Sequence, residues 1–255
     1  MKILITNDDG IYTDGLWALA EELKEIASVT IVAPDRNQSG SGTSITFHHP
    51  LRLSEIKSPL KGISAYSVEG TPADSVILAI RFAIKDKIDL VISGINKGPN
   101  LGDDAFISGT VGAARQGYFY GIPSIAVSVA AFEDPHFSSA ARFSRHLVNI
   151  FGNGGLPGNL LLNVNVPNLP LEEIEGIEIT KLGQRKYLDN VEPGHDGMRQ
   201  YYWIVRGEPE WEVIQGSDIW ALKQNKISIT PLLNNYDGVD NLLKKLLSRL
   251  LEKDS

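Results

Sequence analysis

The sequence predicts a three-layer α/β fold, in which a Rossmann-like, mostly parallel sheet with helices on both faces precedes a C-terminal extension. Three observations carry this prediction. Short apolar segments alternate with segments of helical periodicity through the first 170 residues, polar turns follow the apolar segments, and the alternation breaks down after residue 170. The chain therefore divides into a core, 1–170, and an extension, 171–255, that holds a hairpin, a returning strand and a C-terminal helix.

Residues 2–6, rich in Ile and Leu, read as a short buried strand, and Asn7-Asp8-Asp9-Gly10 after it is turn chemistry. Over 15–26, Leu16, Leu19, Ala20 and Leu23 recur at helical spacing, and Ala27 continues the series. A second strand over 29–33 completes a βαβ unit, and the repeated βα alternation predicts a parallel sheet with helices on both faces. Pro34 then leads into a polar loop, 35–43. Residues 64–68 read as a strand, 72–84 as a helix with proline in its first turn, and 89–93 as a strand buried on both sides. A long glycine-rich loop is expected over 94–107. Ser108-Gly109-Thr110 opens a helix reaching Tyr120, 123–129 resumes the sheet, 137–151 is helical, and 160–166 is a strand ended by Pro167. In the extension, 177–182 and 201–205 look like strands of a hairpin, 217–222 is a short helix and 226–230 the returning strand. The final helix, 239–251, places Leu242, Leu243, Leu246, Leu247, Leu250 and Leu251 on one stripe, to pack on its own domain or on another subunit.

Composition narrows the function classes. A chain of 255 residues, 42% hydrophobic and 22% charged, is ordinary for a globular protein with a sizeable core. No apolar run approaches the roughly 20 residues of a membrane-spanning helix, and the apolar run after Lys2 is too short for a signal peptide, so a cytoplasmic location is expected. With no cysteine there is neither a disulfide nor a thiolate ligand, and a bound metal would rest on oxygen or imidazole donors. A net charge of −7 argues against a stable nucleic-acid complex, though not against a small anionic ligand held locally.

In open parallel sheets ligands bind outside the carboxyl ends of the strands. Three loops there are unusually polar: the first offers Asn7, Asp8 and Asp9, the second Asn37, Gln38, Ser39 and Gly40, the third Asn96, Asn100, Asp103 and Asp104. Converging carboxylates, amides and a hydroxyl suit magnesium, manganese or calcium, and adjacent carboxylates repel one another without a cation between them. Taken alone, Asn-Asp-Asp-Gly is a plain turn; the other two loops give it a second meaning. Ser108 alone is a helix cap, yet Gly109 beside the first turn lets an anion reach the helix N-terminus. A cation site beside an anion cradle is what metal-assisted phosphoryl transfer requires.

Other signals fall short. Gly40-Ser41-Gly42 lacks the third glycine of a dinucleotide fingerprint, and no P-loop occurs. His48, His49, His136, His146 and His195 show no ligand spacing and read as surface or structural residues. Ser93 is not in a nucleophile elbow. The aromatic residues at 201–203 and 211 read as core or hairpin surface, with base stacking left open.

Five ordered motifs resemble those of one family, the stationary-phase survival protein SurE. They are Ile-Thr-Asn-Asp-Asp-Gly at 5–10, Ala-Pro-Asp-Arg-Asn-Gln-Ser-Gly-Ser-Gly at 33–42, Gly-Thr-Pro-Ala-Asp at 70–74, Ser-Gly-Ile-Asn-Lys-Gly-Pro-Asn-Leu-Gly-Asp-Asp at 93–104 and Ser-Gly-Thr-Val-Gly-Ala-Ala at 108–114. The likeness continues through Asn-Val-Asn-Val-Pro at 163–167 and Ser-Ile-Thr-Pro-Leu at 228–232. It implies a metal-dependent 5′/3′-nucleotidase, an acid phosphatase in the broad sense, holding one Mg2+ or Mn2+ per subunit. By position it makes Asp8, Asp9, Ser39 and Asn96 the metal ligands and puts Asn100, Ser108, Gly109 and Thr110 in the phosphate pocket. Asn7 and Gly40 complete the substrate-side candidates. The resemblance also implies a homodimer or homotetramer whose C-terminal extensions embrace neighbouring subunits. Ile107 stands where the family commonly has tyrosine, and Ser217-Asp218 where it often has threonine and aspartate.

The expected reaction is hydrolysis of nucleoside monophosphates, with Asp8 and Asp9 holding the metal and Asp9 preferred to Asp8 as the group that orients or deprotonates water. Polyphosphate as a further substrate, base preference and 3′ against 5′ preference stay open. Three rival readings stand beside it: a non-catalytic nucleotide sensor, an oligomeric scaffold, and a glycosyltransferase with a metal-bound nucleotide sugar.

Overall fold

The computed structural model describes residues 1–152, 160–186, 190–205 and 210–232; the leucine-striped helix expected over 239–251 lies outside them. The chain opens with β1 (Lys2–Thr6), α1 (Asp14–Leu23) and β2 (Ser28–Pro34), followed by an edge pair, β3 (Leu53–Ile56) and β4 (Ser64–Val68). Then come α2 (Pro72–Leu78), which continues as a wider π turn over Ala79–Ala83, β5 (Leu90–Lys97), the short α3 (Asp104–Ile107), α4 (Gly109–Phe119), β6 (Ser124–Val129), α5 (Phe137–Ile150) and β7 (Leu161–Val166). After residue 170 come β8 (Ile177–Ile179), β9 (Gln184–Lys186), β10 (Asn190–His195), β11 (Gln200–Val205), β12 (Glu210–Glu212), α6 (Asp218–Lys223) and β13 (Ile227–Pro231).

Nine strands form one sheet in the order β3-β4-β2-β1-β5-β6-β7-β13-β8. From β4 to β7 all neighbours are parallel; β3 on β4 and β13 on β7 are antiparallel. The mostly parallel sheet expected from the βα alternation is therefore present. Successive side chains of each strand serve opposite layers, as a pleated strand requires. Ile3, Ile5, Ile31, Ile92, Leu162 and Val164 meet Leu16, Leu19 and Leu23 of α1 and Phe143 and Leu147 of α5. Leu4, Val32 and Val91 face Val76, Ala79 and Ala113 on the other side. Each such fully buried Leu or Ile contributes about 1.5–3 kcal/mol.

Three departures from the sequence reading have physical causes. β5 runs on past Ser93 to Lys97, where a loop was expected: a register shift between Ser93 and Asn96 absorbs the glycine, after which pairing with β6 resumes. Gly94 sits at φ 142°, and a Cβ there would run into the Val127 carbonyl, so no other residue fits. The strand 200–205 pairs with 190–195, the strand just before it in the chain, as a separate two-stranded hairpin, while β8 joins the edge of the main sheet beside β13. Finally, β3 gave no signal, being a short edge strand without a buried residue.

Two devices fix the loops at the carboxyl edge. Thr71 and Asp74 form a capping box at the start of α2, with Pro72 in its first turn. Asp74 also accepts the backbone N–H (2.9 Å) and the hydroxyl (2.7 Å) of Thr46, and the Thr71 hydroxyl donates to the Ser44 carbonyl at 2.7 Å. The 70–74 motif thus pins the far end of the loop that carries Ser39.

Candidate functional site

The turn after β1 is built by Asn7. Its Nδ2 donates to the Gly10 carbonyl (2.9 Å) and to Thr13 Oγ1 (2.8 Å), while its Oδ1 accepts the Gly10 N–H at 3.2 Å. The buried Asn7 amide therefore closes the turn and sets the direction in which Asp8 and Asp9 leave the strand. The second loop is brought in by Gln38, whose N–H donates to the Asp8 carbonyl at 2.7 Å. Within it, Ser39 is exposed, its N–H is held by Asn37 Oδ1 at 2.9 Å, and Asn37 Nδ2 reaches Asp9 Oδ1 at 3.5 Å. The third loop arrives through the Lys97 N–H, which donates to Asp9 Oδ2 at 3.3 Å. Beside it, Asn96 Nδ2 donates to the Gly98 carbonyl at 2.7 Å, which fixes the amide with its oxygen as the donor atom a cation would take.

Helix α4 points its N-terminus at this cluster. Ser108 caps it, its Oγ accepting the Val111 N–H at 3.2 Å. The Thr110 hydroxyl donates to Asp8 Oδ1. Gly109 packs so closely that a Cβ there would lie 2.7 Å from Asp8 Cβ, 2.8 Å from Ser41 Oγ and 2.9 Å from Asp8 Oδ2. Glycine is thus required for the approach of helix to aspartate, and the same bare backbone leaves the helix N-terminus open to an anion.

The electrostatics suit a cation. Burial, opposed by the Thr110 hydroxyl and aided by the charge of Asp9, pushes the Asp8 carboxyl up from an ordinary 3.8 to about 6. Asp9 is also raised by burial, against the Lys97 N–H. Two adjacent carboxyl groups disfavoured as anions would be returned to the charged form by a dication. Among the described residues no group of three or more His, Cys, Asp or Glu side chains could hold a metal, so an ion here would combine the two carboxylates with neutral oxygens of Ser39 and Asn96. That all-oxygen set fits a hard cation such as Mg2+ or Mn2+.

The remaining candidates are placed as follows. Gly40 is exposed at φ 76° with open space about it. Asn100 is buried, its Nδ2 donating to Ser128 Oγ at 2.8 Å. All five histidines are exposed. Tyr201, Tyr202 and Trp203 lie on the exposed hairpin β10–β11, while the Trp211 side chain lies outside the described residues. A cavity of about 490 Å³ lined by Ile80, Ile84, Tyr120 and Ile122 opens at the opposite edge, near the amino ends of β5 and β6. The sequence reading missed Ser41, whose buried Oγ finds no partner among the described residues and lies, like Asp8, close against Gly109. Its place in the Gly40-Ser41-Gly42 run was the available signal. Asp218 enters the sequence reading only as part of the Ser217-Asp218 pair that the family resemblance brings up, without a role. No helix among the described residues is long and apolar enough to cross a membrane.

Fold and site together define a class: a three-layer α/β protein that gathers oxygen donors and a helix N-terminus at the carboxyl edge of its sheet. The chain belongs to the SurE family. The family model described as "Survival protein SurE" matches residues 3–189. The chain is 47% identical over 234 residues to the 5'-nucleotidase SurE of Dehalococcoides mccartyi (strain CBDB1), covering 91% of this chain and 88% of that protein. It is 47% identical over 238 residues to the 5'-nucleotidase SurE of Vibrio cholerae serotype O1 (strain ATCC 39315 / El Tor Inaba N16961), covering 91% of each. The crystal structure of the SurE protein from Aquifex aeolicus superposes with a TM-score of 0.77 at 40% identity, over 96% of this chain and 98% of that one.

Proposed function

We propose that this protein is a metal-dependent phosphomonoester hydrolase that converts nucleoside 5′- and 3′-monophosphates to nucleoside and inorganic phosphate. The observation that carries the reading is the contact of Asp8 with Gly109 and Thr110, which sets a cation site directly against the N-terminus of α4. The relatives named 5'-nucleotidase support the substrate class.

The phosphate of the substrate lies at the α4 N-terminus, where Ser108, Gly109 and Thr110 offer backbone and hydroxyl donors to its oxygens. Gly40 and Asn100 border the same space. Asp8, Asp9, Ser39 and Asn96 would hold one Mg2+ or Mn2+, which would neutralise phosphate charge and make a water more acidic. Thr110 keeps Asp8 oriented. Asp9, fixed by the Lys97 N–H, takes the proton of the attacking water as its oxygen bonds to phosphorus. The ester P–O bond breaks on the opposite side, the nucleoside oxygen takes a proton from solvent water and leaves as a free hydroxyl, and Asp9 returns its proton to solvent. The exposed hairpin β10–β11 packs against a second copy of the chain, giving a homodimer or homotetramer.

The test is phosphate release from a panel of nucleoside monophosphates after chelator treatment, with Mg2+, Mn2+ or Ca2+ restored singly. Release that depends on the added ion is expected. Tight nucleotide binding without release would replace the enzyme with a nucleotide sensor, and transfer of a sugar from a nucleotide sugar would replace the hydrolase.

A further inference from the structure

The segment 163–167 and the Ser217-Asp218 pair take no part in the site as built so far, yet buried polar groups of both converge on the turn that carries Asn100. Asn163 and Asn165 lie on the α4 side of β7 and are fully buried. Both Nδ2 groups donate to the Asn100 carbonyl, at 2.7 and 3.1 Å, and Asn165 Oδ1 accepts the Asn100 N–H at 2.8 Å. Two residues further on, the Gly102 N–H donates to Asp218 Oδ2 at 2.8 Å. The other oxygen of Asp218 accepts the N–H groups of Gly183 and Ile219, each at 2.8 Å. One buried carboxylate therefore joins the turn after β5 to the root of β9 in the extension.

Burying a carboxylate and two amides where apolar side chains could pack costs stability unless every polar atom is matched. Here both amides and one oxygen of Asp218 bond backbone groups of a single turn, 100–102, the other oxygen of Asp218 bonds the N–H groups of Gly183 and Ile219, and Asn163 Oδ1 finds no partner among the described residues. That turn carries Asn100 and leads through α3 directly into Ser108, Gly109 and Thr110. Its three residues are buried, and its backbone is held from two directions, by β7 and by Asp218.

We propose that Asp218 and Asn165 are positioning residues for substrate, which fix the 100–102 turn so that the phosphate meets a preformed pocket. The inference rests on the hydrolase reading above. Neither residue belongs to the metal-ligand set. In Asp218→Asn one acceptor becomes an N–H donor facing another N–H, so the bond to Gly102 or to Gly183 is lost. Asn165→Ser removes both bonds that Asn165 makes to Asn100. In either variant the turn must be ordered when substrate binds, which weakens ground-state and transition-state binding alike.

The experiment measures kcat and KM for one nucleoside 5′-monophosphate at saturating Mn2+, and Mn2+ affinity by titration calorimetry without nucleotide. For each variant the expected result is a KM raised about tenfold, kcat within about twofold of wild type, and unchanged Mn2+ affinity. A residue needed only for folding would lower the active fraction and hence kcat at wild-type KM, and that result overturns the proposal. Should Asp218→Asn fail to fold, Asn165→Ser alone decides by the same criterion. A wild-type chain that releases no phosphate with Mn2+ or Mg2+ sinks the hydrolase reading instead. Nucleotide affinity by calorimetry then decides the positioning role: binding about tenfold weaker in the variants sustains it, and equal affinity or no binding by either protein overturns it.

Discussion

Asp8 gains nothing from ionising in the metal-free fold. Burial holds its carboxyl at about 6, above the ordinary 3.8, despite the Thr110 hydroxyl. A folded value above the unfolded one favours the protonated form, so this group's contribution to stability is complete below pH about 4 and is lost as pH rises through about 6. The displacement corresponds to on the order of 3 kcal/mol. In chelator-treated protein, Asp8→Asn should therefore melt above wild type at pH 7.5 and lose that advantage near pH 4. Melting curves at the two pH values check this, and a variant less stable than wild type at pH 7.5 would contradict it. Asp9→Asn should keep its circular dichroism spectrum while kcat for phosphate release falls by at least about a hundredfold. Undiminished turnover would remove Asp9 from the chemistry. The identities of these residues were legible because carboxylates and amides cluster after strands. Their relation to Thr110 was not, since residues 8 and 110 meet only across the fold.

At the scale of elements, the site depends on how loops are fastened as much as on where strands end. Thr71→Ala removes one half of the α2 capping box and the bond to Ser44, and should cost about 1 kcal/mol. For a chain of this size that is a fall in Tm of about 2–4 °C, readable by calorimetry; an unchanged Tm would mean that the box is replaced by water at no cost. Elements with a clear period, such as α5 with Ala140, Phe143, Ser144 and Leu147 buried, were readable from spacing. The continuation of β5 past Gly94 was not, because glycine signals a loop locally and the neighbouring β6 alone supplies the pairing that carries the strand on. The partner of 200–205 escaped for a related reason. Strand pairing is settled in three dimensions: β8 joins β13 at the edge of the main sheet, and β11 folds back on β10.

The molecule as a whole presents an unprotected hairpin. Tyr201, Tyr202, Trp203, Ile204 and Val205 are exposed on β11, with Tyr201, Trp203 and Val205 on one face and Tyr202 and Ile204 on the other. A two-stranded ribbon with apolar residues on both faces is only marginally stable in water, and such surface marks an interaction site. On the proposal of a second copy as its partner, the double substitution Trp203→Arg with Ile204→Asp should reduce the mass seen by analytical ultracentrifugation to that of a smaller assembly. An unchanged mass would assign the interface to another surface.

By itself the sequence determined the layered α/β architecture and the residues that could bear chemistry, since hydrophobic period, turn composition and ordered motifs are local properties of the chain. Tertiary structure decided the rest: that Asp8 lies against Gly109 and Thr110, that Ser41 joins them, and that Asp218 reaches back 116 positions to Gly102. The physical reason is that burial, and with it the acidity of a carboxyl group and the worth of a hydrogen bond, depends on which distant segments the sheet brings together, and no pattern within one segment encodes that.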